Sequence, residues 1–366
     1  MIDLEQYGYT ETIPALEGFI PGRVTDHRGS HYTVITWHGE VSAVLKGTYY
    51  YNAELRGDFP CVGDFVHIQY NDSGPSLISA LLPRRTMFSR ADFSGHATGY
   101  VKTVLEQVIA ANFDYVFIMT SLNYDFNISR IMRYIAQTRQ SRGQPVIILT
   151  KADLIDNYDS YVNSVEKAAP DVPVHIISAH TGHGLDILSK YFQPGMTIVF
   201  LGTSGVGKSS LLNVLMKQEV MIVKAIRDDD SRGRHTTTHR LLFKLPSGAM
   251  VIDTPGLREL GLFDADYGIN SGFSDIEELI TQCRFSNCRH QTEPKCAIRV
   301  ALNTGSLSYE NWERYQAMKR ESKFVDDKSG YLREKRDFGK SLAIGVKQRR
   351  RSEMHGKQAR NLTREK

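Results

Sequence analysis

The chain has 366 residues, of which 41% are apolar and 23% are charged. This length allows two or three domains of ordinary size, each with enough apolar residues to form a core. No apolar run reaches the roughly 18–20 residues that a membrane span needs. The acidic N-terminal sequence also lacks the basic segment and apolar stretch of a signal peptide. We therefore expect a cytoplasmic protein with no membrane partner.

The positive charge is concentrated at the C-terminal end. The net charge of the whole chain is +4. Residues 331–366 carry twelve Lys or Arg against four Asp or Glu, a net charge of +8, and the remainder carries −4. This tail is predicted to be disordered and to contact a polyanion, either nucleic acid or an anionic membrane surface. Because the tail has no apolar face to insert into a bilayer, we favour RNA.

Five β-rich runs separated by turn residues follow an N-terminal extension, residues 1–18, and predict a small barrel over residues 19–85. The runs are Phe19–Thr25, His31–Trp37, Val41–Leu45, Val62–Tyr70 and Ser76–Leu82. Short strands of this number suit either an OB-like or an SH3-like barrel.

From about Leu105, apolar runs alternate with helical stretches, which predicts a mostly parallel sheet covered by helices. The predicted strands are Tyr115–Met119, Val146–Leu149, Val174–Ile177, Thr197–Leu201, Leu241–Leu245 and Met250–Ile252. The segment Ile128–Gln140 places its apolar residues on one helical face. We assign residues 86–266 to this domain and residues 267–330 to a further domain, which contains a predicted helix at Tyr309–Phe324.

Residues 202–209 read GTSGVGKS and match the phosphate-loop motif G-x-x-x-x-G-K-[ST], between a predicted strand and a predicted helix. Glycines let backbone N–H groups approach phosphates, and the helix N-terminus favours negative charge. Lys208 is predicted to contact the β- and γ-phosphates, and the Ser209 hydroxyl to bind Mg²⁺. The predicted loop contacts are Gly202, Thr203, Ser204, Gly205, Val206, Gly207, Lys208, Ser209 and Ser210.

Two polar segments after this loop resemble the switch regions of a GTPase. Asp253 ends a short strand and could hold Mg²⁺ through water, while the Gly256 amide could reach the γ-phosphate. Between the two motifs lies a polar stretch with three threonines, of which Thr237 or Thr238 could complete the Mg²⁺ shell. A phosphate loop alone leaves ATP or GTP, and kinase or hydrolase, open.

Guanine specificity is indicated by two segments that follow predicted strands. Residues 150–153 read TKAD and resemble the Asn-Lys-x-Asp motif of GTPases. In that motif the position of Asp153 accepts from both donors of guanine, which adenine cannot offer, and Lys151 covers the base. Ser178 and Ala179 resemble the Ser-Ala-x loop that contacts the guanine carbonyl. Since Thr150 replaces the usual Asn, we expect weaker base affinity and the loss of a carboxamide that ties the loops together.

Cys283, Cys288, His290 and Cys296 form a Cys-x4-Cys-x-His-x5-Cys pattern. Three thiolates and one imidazole suit one tetrahedral Zn²⁺ per chain, in a closed structural site. An iron–sulfur cluster fits less well, because its usual ligand runs contain only cysteine. This segment has few large apolar residues, so we expect it to need the metal to fold.

The order of the motifs is permuted, since the base motifs precede the phosphate loop and the switch segments. With the barrel before it and the Cys/His module after it, the chain resembles the RsgA (YjeQ) family of circularly permuted GTPases. The resemblance implies a multidomain α/β protein with three parts: an N-terminal five-stranded OB-like β-barrel, a circularly permuted P-loop GTPase domain and a C-terminal zinc-binding α domain. It also implies a GTP hydrolase that binds the small ribosomal subunit late in its maturation and contacts ribosomal RNA through its flanking domains.

Slow intrinsic hydrolysis is expected, because Leu257 occupies the position where many GTPases carry a water-orienting Gln. Gly205 occupies the position where potassium-activated relatives carry Asn, so a bound K⁺ is not an obvious substitute for the missing Gln. His235, beside the switch threonines, is a candidate replacement. We therefore expect GTP hydrolysis to be stimulated by the small subunit and linked to release from it. Mg²⁺ is expected to bind together with GTP. The protein is expected to be a monomer.

Two other classes of function remain open at this stage. The first is an RNA-binding scaffold in which GTP or GDP only switches affinity. The second is a P-loop ATPase or small-metabolite kinase, which Asp153 and the 178–180 loop oppose.

Overall fold

The N-terminal barrel closes as predicted. The computed structural model describes residues 1–10, 18–52, 56–92, 105–123, 125–219, 240–254 and 265–326. The barrel strands are β1 Ile20–Arg28, β2 His31–Thr36, β3 Gly39–Leu45, β4 Phe65–Gln69 and β5 Ser76–Leu81, with helix α1 at Gly47–Asn52. The strand order is β1-β2-β3-β5-β4 with β1 also pairing β4, and β3 runs parallel to β5. This is the OB-type arrangement, and the SH3-like alternative is not found.

A short antiparallel pair that the sequence analysis did not predict follows the barrel. Strands β6 Met87–Asp92 and β7 Leu105–Ala111 form their own two-stranded sheet. The residues before β6 are held against the barrel, because Arg84 forms an ion pair of 2.7 Å with the fully buried Asp64. The chain therefore passes from the barrel to the α/β region through a tightly bonded segment.

The α/β region contains the six predicted strands. They are β8 Tyr115–Ser121, β9 Gln144–Thr150, β10 Val174–Ile176, β11 Thr197–Leu201, β12 Leu241–Lys244 and β13 Met250–Asp253. Their order is β10-β9-β8-β11-β13-β12, and every pairing except β12–β13 is parallel. Strand β11, which leads into the phosphate loop, lies between β8 and β13 in the interior of this sheet. Ligand-binding loops are therefore expected at the edge formed by the carboxyl ends of these parallel strands.

The described part of this region contains three helices: α2 Ile128–Gln140, α3 Asp159–Ala168 and α4 Lys208–Met216. Helix α2 has the predicted bounds. It begins there because the Asn127 side chain accepts a hydrogen bond from the backbone N–H of Arg130 at 2.9 Å, a typical N-cap. Its apolar face, including Ile131 and Ile135, is buried against the sheet.

The barrel and the α/β sheet are continuous. Strand β1 pairs with β12 through Asp26 and Leu241, which joins both parts into one eleven-stranded sheet. Beside this junction the fully buried Arg23 guanidinium donates to the carbonyl oxygens of Tyr7 and Asn112, at 2.5 and 2.7 Å. It also donates to the Thr197 hydroxyl at 3.0 Å. Burial lowers the pKa of Arg23 to about 9, so the group still carries its charge at neutral pH.

Four helices form the C-terminal region: α5 Asp266–Gly272, α6 Ser274–Thr281, α7 Ala297–Thr304 and α8 Tyr309–Asp326. The predicted helix at Tyr309–Phe324 is thus confirmed and ends two residues later. Helix α5 packs closely on α2, since a Cβ on Gly268 would lie 1.8 Å from the carbonyl oxygen of Ala136. Within the ranges given above, none of the helices has the length and apolar character required to cross a membrane.

Candidate functional site

The phosphate loop spans the turn from β11 to α4. Gly202 lies close to strand β8, and a Cβ there would be 2.6 Å from the carbonyl oxygen of Met119. Gly205 and Gly207 have φ angles of 76° and 110°, which L residues with side chains rarely adopt. The three glycines are thus required by the backbone path. That path brings the loop to the N-terminus of α4, where anions bind favourably.

The ammonium group of Lys208 is held inside this loop. It donates to the carbonyl oxygens of Gly202 and Thr203 at 2.6 and 2.8 Å. Burial lowers the pKa of Lys208, and the carboxylates of Asp253 and Asp125 oppose that shift. A buried cation with flanking acids is therefore available to polyphosphate at this position.

Asp253 ends strand β13 as predicted and is buried, and its Oδ1 atom has no hydrogen-bond partner among the described residues. Burial raises the pKa of Asp253, and the charge of Lys208 and the Thr254 backbone N–H act in the opposite direction. The Asp253 carboxylate and the Ser209 hydroxyl, at the start of α4, are oxygen donors of the kind that Mg²⁺ binds.

The two predicted base motifs meet in space. The Ser178 hydroxyl donates to Oδ1 of Asp153 at 2.5 Å and accepts from the backbone N–H groups of His180 and Thr181. Lys151, between strand β9 and Asp153, has a left-handed φ of 60°. Ser178 is fully buried, so its bond to Oδ1 fixes the orientation of the Asp153 carboxylate.

The expectation that Thr150 leaves the base loop and the phosphate loop without a connection is wrong. The Thr150 hydroxyl donates to the carbonyl oxygen of Val206, in the phosphate loop, at 2.6 Å. The side chain reaches this carbonyl because β9 and β11 lie on either side of β8 and both loops leave the same edge of the sheet. The base loop and the phosphate loop are therefore joined without a carboxamide.

Four predicted site residues, His235, Thr237, Thr238 and Gly256, lie outside the described residues, and so does Leu257. Their roles stay predictions. One residue that the sequence analysis missed is Asp125, whose carboxylate accepts from the Thr203 hydroxyl at 2.7 Å. Its position just after strand β8, at the ligand-binding edge, is the signal that could have drawn attention to it.

The four predicted metal ligands converge between α6 and α8. All four ligand atoms lie within 4.8 Å of one another. The Cys283 and Cys296 sulfurs are 3.9 Å apart. Nδ1 of His290 lies 3.6 Å from the Cys283 sulfur and 3.5 Å from the Cys296 sulfur. Tetrahedral zinc with ordinary bond lengths requires roughly 3.8 Å between sulfurs and roughly 3.6 Å between sulfur and nitrogen. The cluster could therefore bind one Zn²⁺.

The loop between the second and fourth ligands is held by a carboxylate. Glu293 accepts from the backbone N–H groups of Arg289, Gln291 and Thr292 at 2.9, 2.9 and 3.0 Å. These bonds stabilise the ionised form and lower the pKa of Glu293 to about 2. The loop that presents His290 is thus organised by its own side chain as well as by the ligands.

Comparison with known proteins assigns the chain to a family. The family model described as RsgA GTPase matches residues 81–263. Small ribosomal subunit biogenesis GTPase RsgA 2 of Lactiplantibacillus plantarum is 40% identical over 356 residues, which cover 95% of this chain and 98% of that protein. The chain belongs to the RsgA GTPase family.

A more distant RsgA, from Streptomyces coelicolor, is 40% identical over 314 residues, 85% of this chain and 82% of that protein. Two solved structures share the fold. YjeQ from Thermotoga maritima superposes with a TM-score of 0.60 at 24% identity, covering 82% of this chain and 97% of that one. YloQ, described as a circularly permuted GTPase, gives a TM-score of 0.55 at 22% identity, covering 83% and 96%. The chain therefore has the fold of these two structures, and its base motifs precede its phosphate loop as in a circularly permuted GTPase.

Proposed function

We propose that this chain hydrolyses GTP in a cycle that assists late maturation of the small ribosomal subunit. The subunit binds the protein and stimulates hydrolysis, and hydrolysis leads to release. Membership of the RsgA GTPase family supports this proposal, as do relatives named for small-subunit biogenesis. Guanine-specific hydrolysis is also the activity that the site residues support best.

The observation that carries the proposal is the bond between the Thr150 hydroxyl and the Val206 carbonyl. It joins the loop that carries Asp153 to the loop that carries Lys208, so one ligand can occupy both. A nucleotide with a guanine base and a polyphosphate matches the two halves. Adenine is rejected because its edge offers no pair of donors to Asp153.

Each site residue has a role in this proposal. Asp153 accepts from guanine, Lys151 covers the base, and the loop from Gly202 to Ser210 holds the phosphates. The Ser209 hydroxyl, Asp253 and one of the threonines Thr237 and Thr238 would hold Mg²⁺, which would supply charge neutralisation on the phosphate oxygens. The Gly256 amide contacts the γ-phosphate.

The attacking water lacks the usual glutamine, since Leu257 takes that position. We assign the role to His235, whose imidazole can accept a proton or orient the water. A switch that depends on such a residue turns over slowly until a partner orders it. Slow intrinsic hydrolysis with strong stimulation by the small subunit follows from this arrangement.

The flanking parts of the chain provide contacts to the subunit in this proposal. The barrel at 19–85, preceded by residues 1–18, and the zinc-binding domain at 267–330 flank the GTPase domain at 86–266. Both contact ribosomal RNA, and the basic tail at 331–366 adds salt-dependent affinity for RNA phosphates. The protein acts as a cytoplasmic monomer.

The test measures GTP and ATP hydrolysis with and without purified small subunits, using large subunits and Lys208→Ala as controls. We expect slow GTP turnover alone, strong acceleration by small subunits only, and no activity in the variant. Co-sedimentation should show tighter subunit binding with a non-hydrolysable GTP analogue than with GDP. Equal use of ATP, or no acceleration by small subunits, would overturn the proposal.

A further inference from the structure

The loop between β8 and α2 bonds directly to the phosphate loop through one carboxylate. Oδ2 of Asp125 accepts from the Thr203 hydroxyl at 2.7 Å. Its other oxygen, Oδ1, forms an ion pair of 2.7 Å with Arg130, in the first turn of α2. The side chains of this pair are 25% and 22% exposed, so solvent screens it less than an ordinary surface ion pair. One side chain thus bridges the phosphate loop and a helix of the α/β region.

The backbone of Asp125 is hydrogen-bonded as well as its side chain. The backbone carbonyl oxygen of Asp125 accepts from the Thr120 hydroxyl at 3.2 Å and also from the Arg130 guanidinium. Arg130 is itself fixed, because its backbone N–H is bound by the N-cap Asn127. Turning the Asp125 carboxylate away from Thr203 would therefore also break its ion pair with Arg130.

We propose that Asp125 is a positioning residue for nucleotide binding, which holds the phosphate loop in its binding conformation through Thr203. This inference rests on the proposed function, since it concerns the same nucleotide site. Thr203 is the second residue of the loop, and fixing it restricts the backbone whose N–H groups cradle the phosphates. Restricting a loop in its bound conformation raises affinity, because less conformational entropy is lost on binding.

This role has a kinetic signature. The loop holds the phosphates that GDP and GTP share, so loss of the Asp125–Thr203 bond weakens both nucleotides equally. Interactions that are equal in ground state and transition state change KM and leave kcat unaltered. A residue acting on the attacking water would change kcat instead.

The experiment compares Thr203→Val, which removes only the hydroxyl at constant shape, with Thr203→Ser, which keeps it. Affinities for a fluorescent GDP and for a non-hydrolysable GTP analogue are measured by titration, together with KM and kcat for GTP. We expect Thr203→Val and Asp125→Ala each to lower both affinities about tenfold, as for loss of a hydrogen bond to a charged group. Thr203→Ser keeps the hydroxyl, so its loss of affinity should be clearly smaller than that of Thr203→Val.

A double-mutant cycle and a matched control complete the test. Asp125→Ala also removes the ion pair with Arg130, so the double variant should bind no more weakly than Asp125→Ala alone, because the Thr203 hydroxyl then has no bond left to lose. Asp171→Asn removes the other Asp–Arg pair on α2, between Arg139 and Asp171, away from the phosphate loop. That variant should retain wild-type affinity, and melting temperatures of all variants are compared.

The proposal is overturned by wild-type affinity in Thr203→Val, by equal losses in the Ser and Val variants, or by additive losses in the cycle. Binding of GDP requires no turnover, so the two proposals can fail separately. Wild-type protein that binds GDP but hydrolyses no GTP, even with subunits, refutes the proposed function alone. Protein that binds no guanine nucleotide refutes both.

Discussion

The Thr150 hydroxyl and the Val206 carbonyl oxygen lie 2.6 Å apart, in a hydrogen bond between the base loop and the phosphate loop. Thr150 is only 4% exposed, so water competes little for this bond. The bond makes the spacing between guanine recognition and phosphate recognition a property of the folded chain. Replacing the usual asparagine by threonine therefore keeps the connection between the loops.

Thr150→Val should weaken guanine nucleotide binding, because it removes the hydroxyl that joins the loops at nearly constant shape. One net hydrogen bond of about 1 kcal/mol corresponds to roughly a fivefold loss of affinity for both GDP and GTP. Titration with a fluorescent GDP measures it. Thr150→Ser keeps the hydroxyl and serves as the control. Unchanged affinity in Thr150→Val would show that the bond does not support the site.

Asp153→Asn should reverse the base preference of the site. The carboxamide can donate to the carbonyl at position 2 of xanthine, whereas guanine presents an amine there. We expect GTP binding to fall at least tenfold and xanthosine triphosphate binding to rise, measured by competition against a fluorescent nucleotide. Ser178→Ala, which frees Asp153 from its 2.5 Å bond, should weaken GTP without this reversal. A variant that still prefers guanine would contradict the role of Asp153.

Cys296→Ser should release zinc and change the fluorescence of Trp312. The His290 and Trp312 rings pack edge to face with centroids 5.4 Å apart, so disorder of the metal loop alters the indole environment. The chain has two tryptophans, and a Trp37→Phe background isolates the signal. Zinc content is measured by atomic spectroscopy. Cys61→Ala, outside the cluster, should keep its zinc, and a Cys296→Ser protein with full zinc content would refute the site.

The barrel should lose stability below about pH 6.5 because of His67. This histidine is 2% exposed, and neither ring nitrogen has a hydrogen-bond partner within the described part of the chain. Burial lowers the pKa of His67, so the unfolded chain takes up the proton first as pH falls. The free energy of unfolding then decreases between the unfolded and the folded pKa, by up to about 1.4 kcal/mol per pH unit.

Urea unfolding of wild type and His67→Phe at pH 7.5, 6.5 and 5.5 tests this dependence. The variant should show a flatter dependence of stability on pH over this range. His31→Gln, which removes an exposed barrel histidine, is the control for loss of a histidine as such. If the free energy of unfolding fell equally with pH in wild type and in His67→Phe, His67 would not be the cause of the pH dependence.

Features set by local sequence could be predicted closely. Helix α2 has the predicted bounds because its N-cap and its apolar face are both encoded within a few residues. The phosphate loop was recognisable because glycine spacing, lysine and serine all lie within eight positions. The Cys/His ligands were likewise identified from spacing alone, and their sulfur and nitrogen atoms converge as zinc requires.

Features that depend on contacts between distant segments were missed. Strands β6 and β7 carry no strong alternation, and their pairing is set by the surrounding core. The bond from Thr150 to Val206 spans 56 positions, and the bond from Asp125 to Thr203 spans 78. Nothing in the short motifs indicates which hydroxyl faces which loop, because that is decided by the strand order of the finished sheet.

The buried Arg23 has a consequence for how the protein can be divided. Its guanidinium bonds to segments that lie up to 227 positions away, and strand β1 covers part of the edge of β12. Cutting the chain near residue 85 would leave the carbonyl of Asn112 and the hydroxyl of Thr197 without their donor, and β12 with a free edge. Free edges promote aggregation between copies. The barrel is therefore an integral part of the fold of the GTPase domain. An isolated GTPase fragment should precipitate under conditions in which the full chain stays in solution.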